Sequence, residues 1–80
     1  MSYELEYEYD DEVNFCNYLI KTYKKLHWAA EHYDMREEIG GIHDSIEDTI
    51  SDVLIDVPET VQSHIWANFE DAKDKINADN

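Results

Sequence analysis

Residues 35–57 read MREEIGGIHDSIEDTISDVLIDV. Apolar residues recur at Met35, Ile39, Ile42, Ile46, Ile50, Val53 and Val57, in steps of 4, 3, 4, 4, 3 and 4. Such steps draw one stripe along a 3.6-residue period, so residues 35–56 are expected to form a helix. Asp34 followed by Glu37 has the spacing of a capping box, with Asp in the Ser/Thr place. Glu38, Asp44, Glu47, Asp48 and Asp52 occupy the other faces. Gly40-Gly41 lies inside this pattern, and each glycine costs a helix about 1 kcal/mol relative to alanine. The pair is either a tolerated weakness or, as the favoured reading, a place where another helix packs closely.

Working outward, residues 10–33 carry Val13, Cys16, Leu19, Ile20, Tyr23, Leu26, His27 and Ala30 at helical spacing. Asp10 or Asp11 is positioned to cap this helix, and acids there suit the positive end of its dipole. On the other side, Pro58 ends the second helix and can open a third. That helix is expected over 58–76, with Val61, Ile65, Phe69, Ala72 and Ile76 inward and Trp66 at the stripe's edge. The expected fold is all-α: one domain of 80 residues, with three helices and an extended acidic N-terminal arm, residues 1–9. In that arm Tyr3, Leu5, Tyr7 and Tyr9 alternate with Glu4, Glu6 and Glu8, a strand-like period. No convincing partner strand exists elsewhere. The alternative is a backward extension of the first helix through Leu5, Tyr9 and Val13.

A chain this short buries only roughly 60% of the surface its unfolded form exposes, so its core is modest. The second helix's wide stripe leaves room for a homodimer that completes it. The single cysteine, Cys16, excludes an internal disulfide and reads as a small core residue. No signal peptide, long apolar span or lipidation motif is visible, so a cytoplasmic setting is expected, with no membrane contact. Nothing places Cys16 beside a base, no glycine-rich phosphate loop occurs, and the carboxylate pairs lie in no apolar pocket that would shift their pKa values. An enzyme is not expected, nor a cofactor.

The histidines are His27, His32, His43 and His64. His27 with Glu31 and His43 with Glu47 share helix faces, the kind of pair that can hold a metal in a bundle. Acids are so frequent here that such spacing arises by chance, and His27 reads as a hydrogen-bonded core residue. No metal is expected.

KLHWAAEHYDMREEIGGIHDSIEDTISDV, residues 25–53, resembles the first two helices of Dps-type ferritin-like proteins, and more closely the small phage proteins of that kind. The shared features are His27-Trp28 near one helix's end, a short spacer, and a long acidic helix with apolar steps. The resemblance covers roughly a third of the chain and implies helical architecture. In that family the His before the Trp ligates iron, and a second His follows twelve residues later with an Asp four beyond it. Those places hold Ile39 and His43 here, or Arg36 and Gly40 with a shortened spacer. The ligand set is broken, and the chain is too short for the four-helix bundle.

Charge carries the functional expectation. Twenty acids stand against six bases, a net −14, and self-repulsion on that scale opposes the compact state. Phosphates would repel such a chain, so direct nucleic-acid binding is not expected; a basic protein surface is the natural complement. Residues 4–12 hold six acids and no base, and residues 31–59 hold ten acids and one base, Arg36. Glu37, Asp44, Asp48 and Asp52 are expected near one another on the solvent side of the second helix. Steps of four are about 6 Å along a helix axis, and Glu4, Glu6 and Glu8 in a strand would stand roughly 6.7 Å apart. Both resemble the distance between successive phosphates, roughly twice the axial rise per base. With Tyr7 and Tyr9 as aromatic contacts, these acids are the expected partner-binding residues. The composition is similar to that of phage-encoded acidic inhibitors that mimic nucleic acid, such as anti-restriction or anti-CRISPR proteins. The expected function is therefore a small non-enzymatic inhibitor of a host defence or DNA/RNA-processing enzyme. The alternatives are a ferritin-like metal-binding or oligomeric bundle, and an immunity or adaptor protein with a different basic partner.

Overall fold

The computed structural model describes residues 9–78. Three α-helices follow one another: α1, Asp10–His32; α2, Ile39–Val53; and α3, Glu59–Ala78. A 3-10 turn, Arg36–Glu38, leads into α2. The fold is all-α, and the described residues contain no strand. The arm residues Glu4, Glu6, Tyr7 and Glu8 lie outside the described residues.

α1 is the hub. α2 and α3 each pack their backbones against it rather than against each other. Cys16, Ile20, Tyr23, His27 and Ala30 turn inward from α1. Ile46, Ile50 and Leu54 meet them from α2 and its end, and Val61, Ile65, Phe69 and Ala72 from α3. Phe69, Ile50, Leu54, Ile65, Val61 and Cys16 are almost completely enclosed. The result is elongated, 44 × 22 × 15 Å, with a radius of gyration of 13.6 Å where a compact domain of this length would have about 11–12 Å.

The second helix is shorter than its stripe implies, for reasons that are local at both ends. Asp34 adopts a left-handed backbone, φ 59°. Its N–H donates to the Glu31 carbonyl at 3.3 Å, and the Met35 N–H to the Ala30 carbonyl at 2.6 Å. That pair of bonds is a Schellman closure of α1. Asp34 therefore terminates α1 and does not cap α2, whose N-terminal flank, Glu38, makes no side-chain cap. Met35 is left 59% exposed. At the other end Leu54, not Val53, takes the deepest core position, 1% exposed. The chain then turns, and Pro58 accepts the first bonds of α3 from the Val61 and Gln62 N–H groups.

Two further expectations are corrected. Neither Asp10 nor Asp11 caps α1; Tyr9 holds that position without a side-chain bond, and the Asp10 carboxylate instead accepts from Asn14 at 3.3 Å. Gly40 and Gly41 mark no close packing. A Cβ built at either meets nothing within 4 Å, so the pair is a tolerated weakness in the first turn of α2.

The α2–α3 corner is held by a side chain. Gln62 donates its amide NH2 to the Leu54 and Val57 carbonyls, both at 2.8 Å. Only the NH2 end can serve two acceptors, which fixes the orientation of the amide. It gives the Leu54 carbonyl, which also accepts from the Val57 N–H at 3.0 Å, a second bond and bonds the Val57 carbonyl in the turn that follows.

Candidate partner-binding face

The inward stripe of α2 fixes what faces out. Since Ile46 and Ile50 are buried, residues about half a helical turn away point to solvent. Asp44, Asp48 and Asp52 are there, and all three are exposed. Successive members are separated by about 6 Å along the axis. Glu37 is exposed as well, and stands on the 3-10 turn before the helix. Tyr9 differs from the rest of the expected set: it is partly buried and packs on the core, so its ring is occupied by the fold.

The electrostatics of α2 set it apart from its neighbours. α1 opens with Asp10, Asp11 and Glu12 and carries His32 in its last turn, an arrangement that suits the helix dipole. α3 opens with Glu59 and places Lys75 near its end, and pairs Glu70 with Lys73 and Asp71 with Lys75, both at 3.3 Å. α2 has no acid in its first turn and no base in its last. Asp52 instead sits at the dipole's negative end. Among the described residues no base lies within salt-bridge reach of Asp48 or Asp52, while Asp44 meets only the His43 imidazole, at 3.2 Å. Ile55, 76% exposed, adjoins the row between Asp52 and Asp56. It was missed because it falls out of step with the stripe; that misfit was the signal available in the sequence.

Behind this face two histidines, His27 and His43, reach the interior. His27 is buried, as expected of a core histidine, with its Nδ1 3.2 Å from the Glu31 carboxylate. Tyr23 lies between His27 and His43, with ring centroids at 6.2 and 5.9 Å, and against Phe69 at 5.3 Å. Burial pushes the Tyr23 phenol pKa up, and Lys73 partly offsets this. His43 also approaches Glu47, at 3.9 Å. Among the described residues no three His, Cys, Asp or Glu side chains converge as a metal site would require. The Cys16 thiol is fully enclosed; burial pushes its pKa up and Glu12 adds to the shift. No described helix is long and apolar enough to cross a membrane.

The class these features define is a small all-α domain whose middle helix displays an uncompensated acidic row. Comparison with protein-family models, curated proteins and solved structures finds no match to this chain.

Proposed function

We propose that the chain is a small, non-enzymatic, phage-encoded inhibitor. It docks its acidic α2 face on the basic nucleic-acid-binding surface of a host defence or DNA/RNA-processing enzyme. The observation that carries this reading is the energetic cost of the α2 row. Asp44, Asp48 and Asp52 repel one another at i,i+4 spacing, Asp52 opposes the dipole, and among the described residues no lysine or arginine forms an ion pair with any of them. The other two helices open with acids in their first turns, and α3 pairs Glu70 and Asp71 with lysines. A row that works against its own helix is accounted for by a partner whose cations it meets. The acids would steer association and make it sensitive to salt, and Ile55 would add apolar contact beside them.

The test is capture from a bacterial lysate at 50 mM NaCl, comparing the native chain with a variant carrying Asp44→Asn, Asp48→Asn and Asp52→Asn. Proteins that the native chain retains, that duplex DNA releases and that the variant fails to retain support charge mimicry. If the variant captures the same proteins, the acidic row is not the binding face. If DNA releases none of them while 0.5 M NaCl does, the partner is basic but the mimicry is wrong.

A further inference from the structure

α1 carries a second apolar stripe besides the one it buries. Phe15, Tyr18, Thr22, Leu26, Ala29 and Tyr33 follow in steps of 3, 4, 4, 3 and 4. At 3.6 residues per turn they fall within one sector, roughly a third of a turn from the buried face. Phe15 is 46% exposed, Tyr18 64%, Leu26 42% and Tyr33 65%. From residue 12 to residue 33 this sector holds no charge, although 32% of the chain is charged. Its exposed side chains offer roughly 450 Å² of mostly apolar surface, taking 150–250 Å² for a whole aromatic side chain. That is the size of the largest patch on a typical monomer. It is also about the apolar share of the ~800 Å² per partner that a stable interface buries.

We infer that this face of α1 pairs with the same face of a second copy of the chain, the two α1 helices running antiparallel about a twofold axis at Thr22. Three observations select a second copy in this orientation. First, the register is self-complementary: Phe15 meets Ala29, Tyr18 meets Leu26, and Thr22, small enough for close approach, meets itself. Second, a groove of about 410 Å³ lies beside Leu26, lined by Gly41, Ile42, Ser45 and Ile46, with Glu38 as its one charged neighbour. In this register it faces Tyr18 of the other copy. Third, the opposite orientation is excluded by charge, because it would stack the acidic first turns, Asp10, Asp11 and Glu12, on one another. The antiparallel arrangement separates them by the length of the stripe, about 33 Å from residue 11 to residue 33, several Debye lengths at physiological salt. Tyr33 then approaches Asp11 of the other copy and can donate its hydroxyl proton to that carboxylate. The stripe belongs to α1 and the acidic row to α2, so this pairing does not rest on the proposed inhibitor role.

Two chains at −14 each repel at long range while the stripe from Phe15 to Tyr33 is itself uncharged, so salt strengthens this dimer. Sedimentation of the full chain from 5 to 500 μM, at 50 and 500 mM NaCl, is expected to show a dimer whose Kd falls several-fold at the higher salt. Tyr18→Glu, at an exposed position, weakens it at least tenfold, with helical circular dichroism and melting retained as the control for folding. Thr22→Cys crosslinks into a covalent dimer under mild oxidation, and Asp48→Cys, on the acidic face, does not; the enclosed Cys16 does not compete. A chain that stays monomeric to 500 μM at both salts overturns the inference. So does a dimer that salt weakens, one indifferent to Tyr18→Glu, or one in which Thr22→Cys crosslinks no faster than Asp48→Cys.

Discussion

Replacing Asp48 and Asp52 by Asn should make the fold more stable and the binding face weaker. Asn and Asp have nearly equal helix propensities, so the exchange isolates charge. Asp48 has like charges four residues away on both sides, at Asp44 and Asp52. At about 6 Å in water each pair costs about 0.7 kcal/mol unscreened, and about half of that with an 8 Å Debye length. This agrees with the 0.2–0.5 kcal/mol typical of i,i+4 pairs. Asp48→Asn thus relieves two pairs, about 0.6 kcal/mol near physiological salt. Asp52→Asn relieves one pair and the opposed dipole, together about 0.8 kcal/mol. The double variant gains about 1.1 kcal/mol, because the Asp48–Asp52 pair is counted once. For a domain of this size that raises the melting temperature by roughly 4–9 °C. Thermal melts of the native chain, both single variants and the double at 10, 150 and 500 mM NaCl read this directly. The gain should be largest at 10 mM and shrink with salt, while capture of basic partners falls. A double variant no more stable than the native chain at 10 mM salt would show that the row is compensated. The argument that its cost implies a partner would then fail.

Gln62→Ala removes one bond each from the Leu54 and Val57 carbonyls, leaving Leu54 only its bond from the Val57 N–H, and should cost about 1–3 kcal/mol in urea denaturation, at 0.5–1.5 kcal/mol per net bond. A loss under 0.5 kcal/mol would mean water replaces the amide. Gly40→Ala and Gly41→Ala meet open space and should each stabilise by about 0.5–1 kcal/mol through the unfolded chain and helix propensity; a destabilised variant would reveal a neighbour at that edge. Cys16 and Tyr23 both have raised pKa values in the folded state, so the unfolded chain ionises first. The stability they contribute is intact below the unfolded thiol's pKa of about 8.5 and is lost as pH rises above it, with Tyr23 adding to the loss above about 10. Urea midpoints between pH 7 and 11 should fall accordingly, and Cys16→Ala should delay the onset. In native-state hydrogen exchange, the first turn of α2, with two glycines and no side-chain cap, should open at lower free energy than the middle of α1. Equal protection in both would contradict that.

The period of the apolar residues made the three helices readable, because burial on one face needs only spacing. Ile46, Ile50, Val61, Ile65 and Phe69 lie where their steps put them. The acidic row was readable for the same reason, since fixing the inward stripe fixes the outward one. What spacing could not decide was competition for a single residue. Asp34 carried a capping signal for α2 and also the capacity for a left-handed backbone. Closing α1 won, and α2 lost its first turn to a 3-10 segment. The double glycine was ambiguous for a related reason: a missing side chain looks the same in sequence whether a neighbour excludes it or nothing is there. Gln62 was invisible because its two acceptors, Leu54 and Val57, become neighbours only once the chain turns at Pro58. The second stripe of α1 escaped notice because α1 is apolar around much of its circumference. Only the placement of α2 and α3 decides which part of it remains bare.

Placing the acids on α2 has a structural logic. α1 is the hub, and a repelling row there would strain both packing surfaces at once. α3 holds two of its acids, Glu70 and Asp71, in pairs with Lys73 and Lys75. α2 touches the rest of the fold along a narrow inward stripe, so its outer half can carry uncompensated charge while Ile46, Ile50 and Leu54 hold it down. That leaves the two exposed surfaces with opposite responses to the medium. The acidic row of α2 loses attraction as ions screen it, and the neutral face of α1 gains association as the same ions screen the chain's net charge. Salt therefore separates the two surfaces within one molecule, and a single titration that moves both interactions in the same direction is incompatible with assigning them to these faces.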